Sequence, residues 1–91
     1  VLELEYIKDK FMNEKKPINL MNLKVNQSAE IAFIDAGKES AKRLADLGLT
    51  PNTPVKVLKK TLFFGPIEIE ARGCKLALGR GIASKVWVKQ I

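Results

Sequence analysis

Apolar residues along this chain change their spacing several times, and most of the changes fall at a residue that a turn requires. From Glu30 to Ala36 (EIAFIDA), Ile31 and Phe33 fall on one side and Ala32 and Ile34 on the other, which predicts a strand covered on both faces and ending at Gly37. The spacing then lengthens. Ala41, Leu44, Ala45 and Leu47 form one stripe while Lys38, Glu39, Lys42, Arg43 and Asp46 lie outside it, predicting a short amphipathic helix over residues 38–47. Gly48 is placed to end that helix in the left-handed conformation, and Leu44 and Leu49 are the apolar pair whose contact accompanies such a stop. Pro51 bars the helix from resuming.

Period two returns after a tight turn at Thr50-Pro51-Asn52-Thr53, with proline preset at its second position and asparagine tolerating the positive φ of its third. Pro54 opens a strand in which Val55 and Val57 alternate with Lys56 and Lys59. Lys60 to Phe64 form a connection that Gly65-Pro66 ends, and Ile67, Ile69 and Ala71 then alternate strictly with Glu68, Glu70 and Arg72. Gly73-Cys74 reads as a two-residue hairpin loop with glycine at its first central position, returning a strand with Leu76 and Leu78 facing inward. Gly79 and Gly81 bracket Arg80 and allow a sharp path into one helical turn at residues 81–84. The final strand, residues 85–89, points Val86 and Val88 one way and Trp87 and Lys89 the other.

Short alternating strands with close turns and one helix predict a mainly β fold: a small SH3-like barrel with a short helix inserted after the first strand. A five-stranded OB-type barrel is the structural alternative. Residues 1–17 differ from the rest, being dense in charge and without glycine. Leu2, Leu4 and Tyr6 alternate as on a strand, whereas Ile7 and Phe11 are four apart as on a helix. Residues 1–19 are therefore expected to be a weakly structured extension and residues 20–91 the barrel domain.

Composition narrows the function more than the fold. The 91 residues suffice for one domain, and 46% hydrophobic with 29% charged residues is a globular balance. The formal net charge of +6 suits an acidic partner surface, but the basic residues are scattered and the tight groups are only Lys15-Lys16 and Lys59-Lys60. No row of interleaved aromatics accompanies them, so nucleic acid is not the expected partner and a basic nucleic-acid-binding barrel stays a secondary alternative. The single cysteine, Cys74, cannot form an internal disulfide, and a reducing cytoplasm is the expected compartment. No apolar run approaches the ~18 residues a membrane span needs, and no signal peptide is expected.

The chain contains no histidine, which removes the commonest metal ligand and every His-dependent catalytic pair. Gly79-Arg80-Gly81 lacks the Gly-Lys-Ser/Thr ending and the long helix of a phosphate loop. No enzyme, cofactor or resident metal is expected. What remains is Leu62-Phe63-Phe64-Gly65-Pro66, where adjacent aromatics cannot both enter one core. With Lys59, Lys60 and Arg80, and with Trp87 on the outer side of the last strand, Leu62, Phe63 and Phe64 are the candidates for a partner-docking surface. The competing reading has Phe63 or Phe64 capping one open end of the barrel.

The segments Arg43-Leu44, Leu47-Gly48-Leu49-Thr50-Pro51, Gly65-Pro66-Ile67, Ala77-Leu78 through Arg80 to Ala83, and Val86-x-Val88 resemble the helix exit, hairpin and closing segment of the FeoA family. The resemblance covers residues 20–91, loosely over 20–37, and departs at Asn52, where the family favours glycine; asparagine can take the same turn. Leu44, Gly48, Leu49, Pro51, Gly65, Pro66, Gly73 and Gly79 carry the structural motif. The resemblance implies an SH3-like cytoplasmic accessory of ferrous iron uptake that docks on the membrane GTPase and permease FeoB, reaching the membrane only through it, with no catalytic residues. Similar domains close iron-dependent repressors, but residues 1–19 leave no room for their helix-turn-helix, so a free-standing protein is expected. A module that binds a transition metal directly is the alternative reading.

Overall fold

The computed structural model describes residues 16–63 and 65–90. Its elements follow one another as β1 (Ile18–Asn19), a 3-10 turn (Leu20–Asn22), β2 (Ser28–Ile34), α1 (Lys38–Asp46), β3 (Pro54–Lys60), β4 (Ile67–Ala71), β5 (Cys74–Leu78), α2 (Arg80–Ala83) and β6 (Val86–Gln90). The strands form one antiparallel ladder in the order β1-β6-β2-β3-β4-β5, which leaves β1 and β5 at its edges. The helix therefore follows the first long strand, as expected, but a two-residue strand precedes both. Ile18 and Asn19 pair with Val88 and Trp87, so the sheet begins two residues inside the stretch read as an extension. Residues 1–15 of that extension lie outside the described residues.

Alternation supplies the core. Ala29, Ile31, Val55, Val57, Ile67, Ile69, Ala71, Leu78, Val86 and Val88 turn inward from the strands, while Leu44, Leu49, Leu20, Leu23 and Ala83 close the space from the helices and their flanks. Asn19 caps the 3-10 turn, accepting the Met21 N–H at 3.0 Å, and so drives Leu20 and Leu23 into the interior.

The end of α1 forms as its local residues dictate. Gly48 adopts φ +89°, its N–H reaches the Ala45 carbonyl at 2.9 Å, and the Leu49 N–H reaches the Leu44 carbonyl at 2.8 Å. This paired bond pattern is the Schellman motif, and the Leu44 and Leu49 side chains that flank it are both buried. The turn after it also forms as expected. Asn52 has φ 71° and the Thr53 N–H donates to the Thr50 carbonyl at 3.1 Å.

Several expectations are displaced by a residue or two: β2 spans Ser28–Ile34 rather than 30–36, α2 Arg80–Ala83 rather than 81–84, and β6 Val86–Gln90 rather than 85–89. The β4–β5 hairpin turns on Arg72-Gly73, not Gly73-Cys74: Ala71 pairs with Cys74, and the central residues have φ 51° and 76°. Positive φ at both positions makes this a type I′ loop, in which glycine serves the second place and an arginine accepts the strained first. A bulge at Ala32 likewise inverts the end of β2, because Ile31 pairs with Val88 but Phe33 pairs with the adjacent Trp87. Phe33 is thereby turned to the outer face, 45% exposed and stacked on Trp87 with centroids 5.9 Å apart, so β2 is not covered on both faces. A second bulge at Leu58 puts Lys59 opposite Glu68 and Lys60 opposite Ile67.

Gly79 also serves differently from its reading. It has φ −60° as the N-cap of α2, and a side chain there would meet no atom within 4 Å, so the path does not demand glycine. Gly65 does demand it: an added Cβ would lie 2.6 Å from Thr61 Cβ.

Candidate functional site

The β3–β4 connection gathers most of the residues singled out for docking, and the structure divides them into those that protrude and those that hold the loop. Leu62 is 79% exposed and Phe63 86% exposed, more than the other large hydrophobic residues among those described. Phe63 therefore does not cap the barrel. Phe64, the other candidate for that role, lies outside the described residues. Phe63 also holds φ 55°, a left-handed conformation that costs a residue with a Cβ about 1 kcal/mol.

Such a conformation persists when its surroundings impose it, and the imposing groups are at the base of the loop. The Arg80 guanidinium donates from Nε to the Gly65 carbonyl at 3.0 Å and from Nη2 to the Thr61 carbonyl at 2.8 Å. The Thr61 N–H closes the neck by donating to the Pro66 carbonyl at 3.3 Å, and the missing Cβ of Gly65 lets Thr61 pack against its backbone. One planar fork on α2 thus fixes both sides of a loop some fifteen residues earlier. Arg80 thus braces the candidate surface from its base.

Lys60 is engaged in the same way. Its Nζ donates to the Met21 carbonyl at 2.8 Å, fastening β3 to the 3-10 turn that plugs the barrel. Lys59 is exposed beside Glu68 and is the cation nearest the tip along the chain that is free of such a backbone bond. Trp87 is half-buried beneath Phe33 on the outer face of the sheet. Of the residues that the sequence singles out, Leu62 and Phe63 protrude furthest among those described, and Lys59 is exposed at the foot of their loop.

Sequence reading missed Arg72. Its Nε donates to the Gly48 carbonyl at 2.9 Å and its Nη2 to Thr53 Oγ1 at 3.3 Å. Thr53 is buried, and its hydroxyl also lies 3.0 Å from Thr50 Oγ1, so the helix exit, the following turn and the β4–β5 hairpin share one polar junction. No local pattern announces a partner 24 residues away; only the positive φ at the Arg72-Gly73 turn could have suggested that the arginine is held.

A second concavity lies between α1 and the end of β5. It has a volume of about 200 Å³ and is lined by Ser40, Arg43, Leu44 and Leu47 from the helix side and by Ala77, Leu78, Gly79 and Ile82 opposite. Among the described residues no group of three or more His, Cys, Asp or Glu side chains could hold a metal ion. Nor is any helix among them long and apolar enough to cross a membrane.

Comparison with known proteins gives a consistent result. The FeoA domain model matches residues 18–90. A protein of Methanocaldococcus jannaschii named "Putative Fe(2+) transport protein A" is 32% identical over 66 residues, which are 72% of this chain and 78% of that protein. The crystal structure of an iron uptake regulatory protein (FeoA) superposes with a TM-score of 0.77 at 28% identity, over 84% of this chain and all of that one. The solution structure of the FeoA protein from Chlorobium tepidum gives 0.75 at 31% identity, covering 81% of this chain and 70% of that one. A manganese-dependent transcriptional repressor bound to manganese matches at 0.78 and 22% identity, over 87% of this chain but 39% of its own, which shows a shared fold alone. The architecture is the SH3-like one and not the OB-type alternative.

Proposed function

This chain belongs to the FeoA domain family, and on that premise we propose that it is a non-catalytic accessory protein of ferrous iron uptake that docks on the cytoplasmic part of a FeoB-type GTPase and permease. The observation that carries the docking is the Leu62-Phe63 tip, two large apolar side chains held out to solvent by a loop whose neck is clamped by Arg80. An exposed apolar pair on a rigid base offers a partner buried area at little cost in conformational entropy. Lys59 adds a cation at the foot of the tip, suited to an acidic rim around an apolar pocket. Binding energy in such contacts concentrates in a few anchors, and Phe63 is the anchor here.

Copurification of this chain with a FeoB cytoplasmic domain tests the reading. Phe63→Asp and Leu62→Asp are expected to abolish retention while leaving the fold intact, and Lys59→Glu is expected to weaken it in a salt-dependent way. Retention of both tip variants at the level of the unaltered chain would rule out docking through this loop.

A further inference from the structure

The β5 edge carries a second, independent feature. In the two-residue hairpin, Ala71 and Cys74 form the closing pair, so hydrogen-bonded pairs alternate along the ladder as 71/74, 69/76 and 67/78. The peptide groups of Lys75 and Ala77 then point away from β4, along the open edge, and no turn, loop or cap bond among the described residues reaches them. They are two positions apart, the repeat with which an added strand presents its own donors and acceptors.

Beside this edge runs the groove between α1 and β5. Its walls are largely aliphatic, with Leu44, Leu47, Leu78 and Ile82, and Leu47 is 51% exposed although it sits on the apolar stripe of its helix. A volume of about 200 Å³ has room for one or two aliphatic side chains. The charged residue in its lining is Arg43 and no carboxylate lines it; the exposed Lys75 lies on β5 itself, with Glu70 of β4 opposite it on the side away from the open edge.

We propose that the β5 edge and the α1–β5 groove together bind an extended segment of a partner protein in which apolar residues alternate with acidic ones. The segment adds to β5 as a further strand, its peptide groups bonding those of Lys75 and Ala77. An apolar side chain enters the groove, and its acidic neighbours meet Arg43 and Lys75. Main-chain bonds supply the affinity of such strand addition, and the pocket and the rim charge supply its selectivity. This proposal does not rest on docking through Leu62 and Phe63, which belong to another loop.

The test uses the full chain and two acetylated, amidated heptapeptides, one alternating glutamate with leucine and one alternating lysine with leucine. On titration followed by NMR and amide exchange, the glutamate peptide is expected to slow exchange at Lys75 and Ala77 by at least about tenfold and to shift the methyl signals of Leu44, Leu47 and Ile82. The lysine peptide is expected to bind at least about tenfold more weakly. Ala77→Pro deletes an outward donor without removing a ladder bond and is expected to abolish binding; Leu47→Glu, which fills the groove mouth with a like charge, provides the same test on the helix side. Phe63→Asp is expected to bind the glutamate peptide as the unaltered chain does, which separates this site from the tip. Equal binding of the two peptides, or undiminished binding by Ala77→Pro and Leu47→Glu, would overturn the proposal. So would amides of Lys75 and Ala77 that are already protected in the free chain and become exchangeable when residues 1–15 are deleted, because the edge would then be covered by the chain itself.

Discussion

Replacing Gly48 by alanine tests the junction that joins the helix exit to the hairpin. A residue with a Cβ at φ +89° costs about 1 to 2 kcal/mol for the left-handed conformation alone. The added Cβ would also stand 2.9 Å from Arg72 Cδ, so the arginine must move. Its bonds to the Gly48 carbonyl and to Thr53 Oγ1 would be disturbed, at a further cost of about 1 kcal/mol for a partly solvated pair. Gly48→Ala should therefore destabilise by about 2 to 3 kcal/mol, a large part of the roughly 5 to 14 kcal/mol expected for a domain of this size. In an Arg72→Ala background the collision disappears, and the same substitution should cost only about 1 to 2 kcal/mol. Urea denaturation followed by the fluorescence of the single tryptophan, Trp87, measures all four corners of this cycle. With a slope near 1 kcal/mol per molar urea, the midpoint should fall by about 2 to 3 M in the native background and by about 1 M less in the other. Equal losses in both backgrounds, within about 0.3 kcal/mol, would refute the claim that Arg72 and Gly48 are packed against each other.

Scaffold residues and proposed contact residues elsewhere should respond differently to substitution. Lys60→Ala should lower stability by about 1 kcal/mol through the lost bond to the Met21 carbonyl, as read by thermal denaturation, while leaving affinity for a FeoB cytoplasmic domain within about twofold. Gly65→Ala should destabilise by about 1 to 3 kcal/mol because its Cβ would strike Thr61, and Thr61→Gly should restore most of that loss in the same denaturation assay. Phe63→Gly relieves the left-handed strain but loosens the unfolded chain, two effects of about 1 kcal/mol and opposite sign. Its stability should therefore stay within about 0.5 kcal/mol of the unaltered chain, and calorimetric titration should show docking lost.

Legibility in the sequence follows the distance over which each feature is determined. The stop of α1 needs only Leu44 to Leu49, and the turn after it only Thr50 to Thr53, so both are readable from neighbouring residues. The β4–β5 loop is ambiguous by one residue because Gly73 can occupy either central position of a primed turn. What decides is the ladder pairing of Ala71 with Cys74, and Arg72 in the strained first place is anchored at Gly48 and Thr53. The bulges at Ala32 and Leu58 leave no trace in alternation, and a single inserted residue was enough to send Phe33 to the outer face.

The proposed docking surface shows the same division. The exposure of Leu62 and Phe63 could be suspected from an apolar run beside Gly65-Pro66, because no strand or helix period accommodates it. The roles of Lys60 and Arg80 could not. Their partners are carbonyls at Met21, Thr61 and Gly65, and a carbonyl carries no sequence signature. Lys60 and Arg80, which read as cations offered to a partner, also bond to backbone carbonyls within the fold.

The central claim is that this chain supports ferrous iron uptake by presenting the Leu62-Phe63 tip to its partner. Initial rates of radiolabelled Fe²⁺ uptake, in cells lacking their own FeoA family member and supplied with this chain and its cognate FeoB, test it most directly. The unaltered chain should restore uptake, and an equally abundant, equally stable Phe63→Asp variant should leave it near the level of cells without the protein. Full restoration by Phe63→Asp would contradict the account.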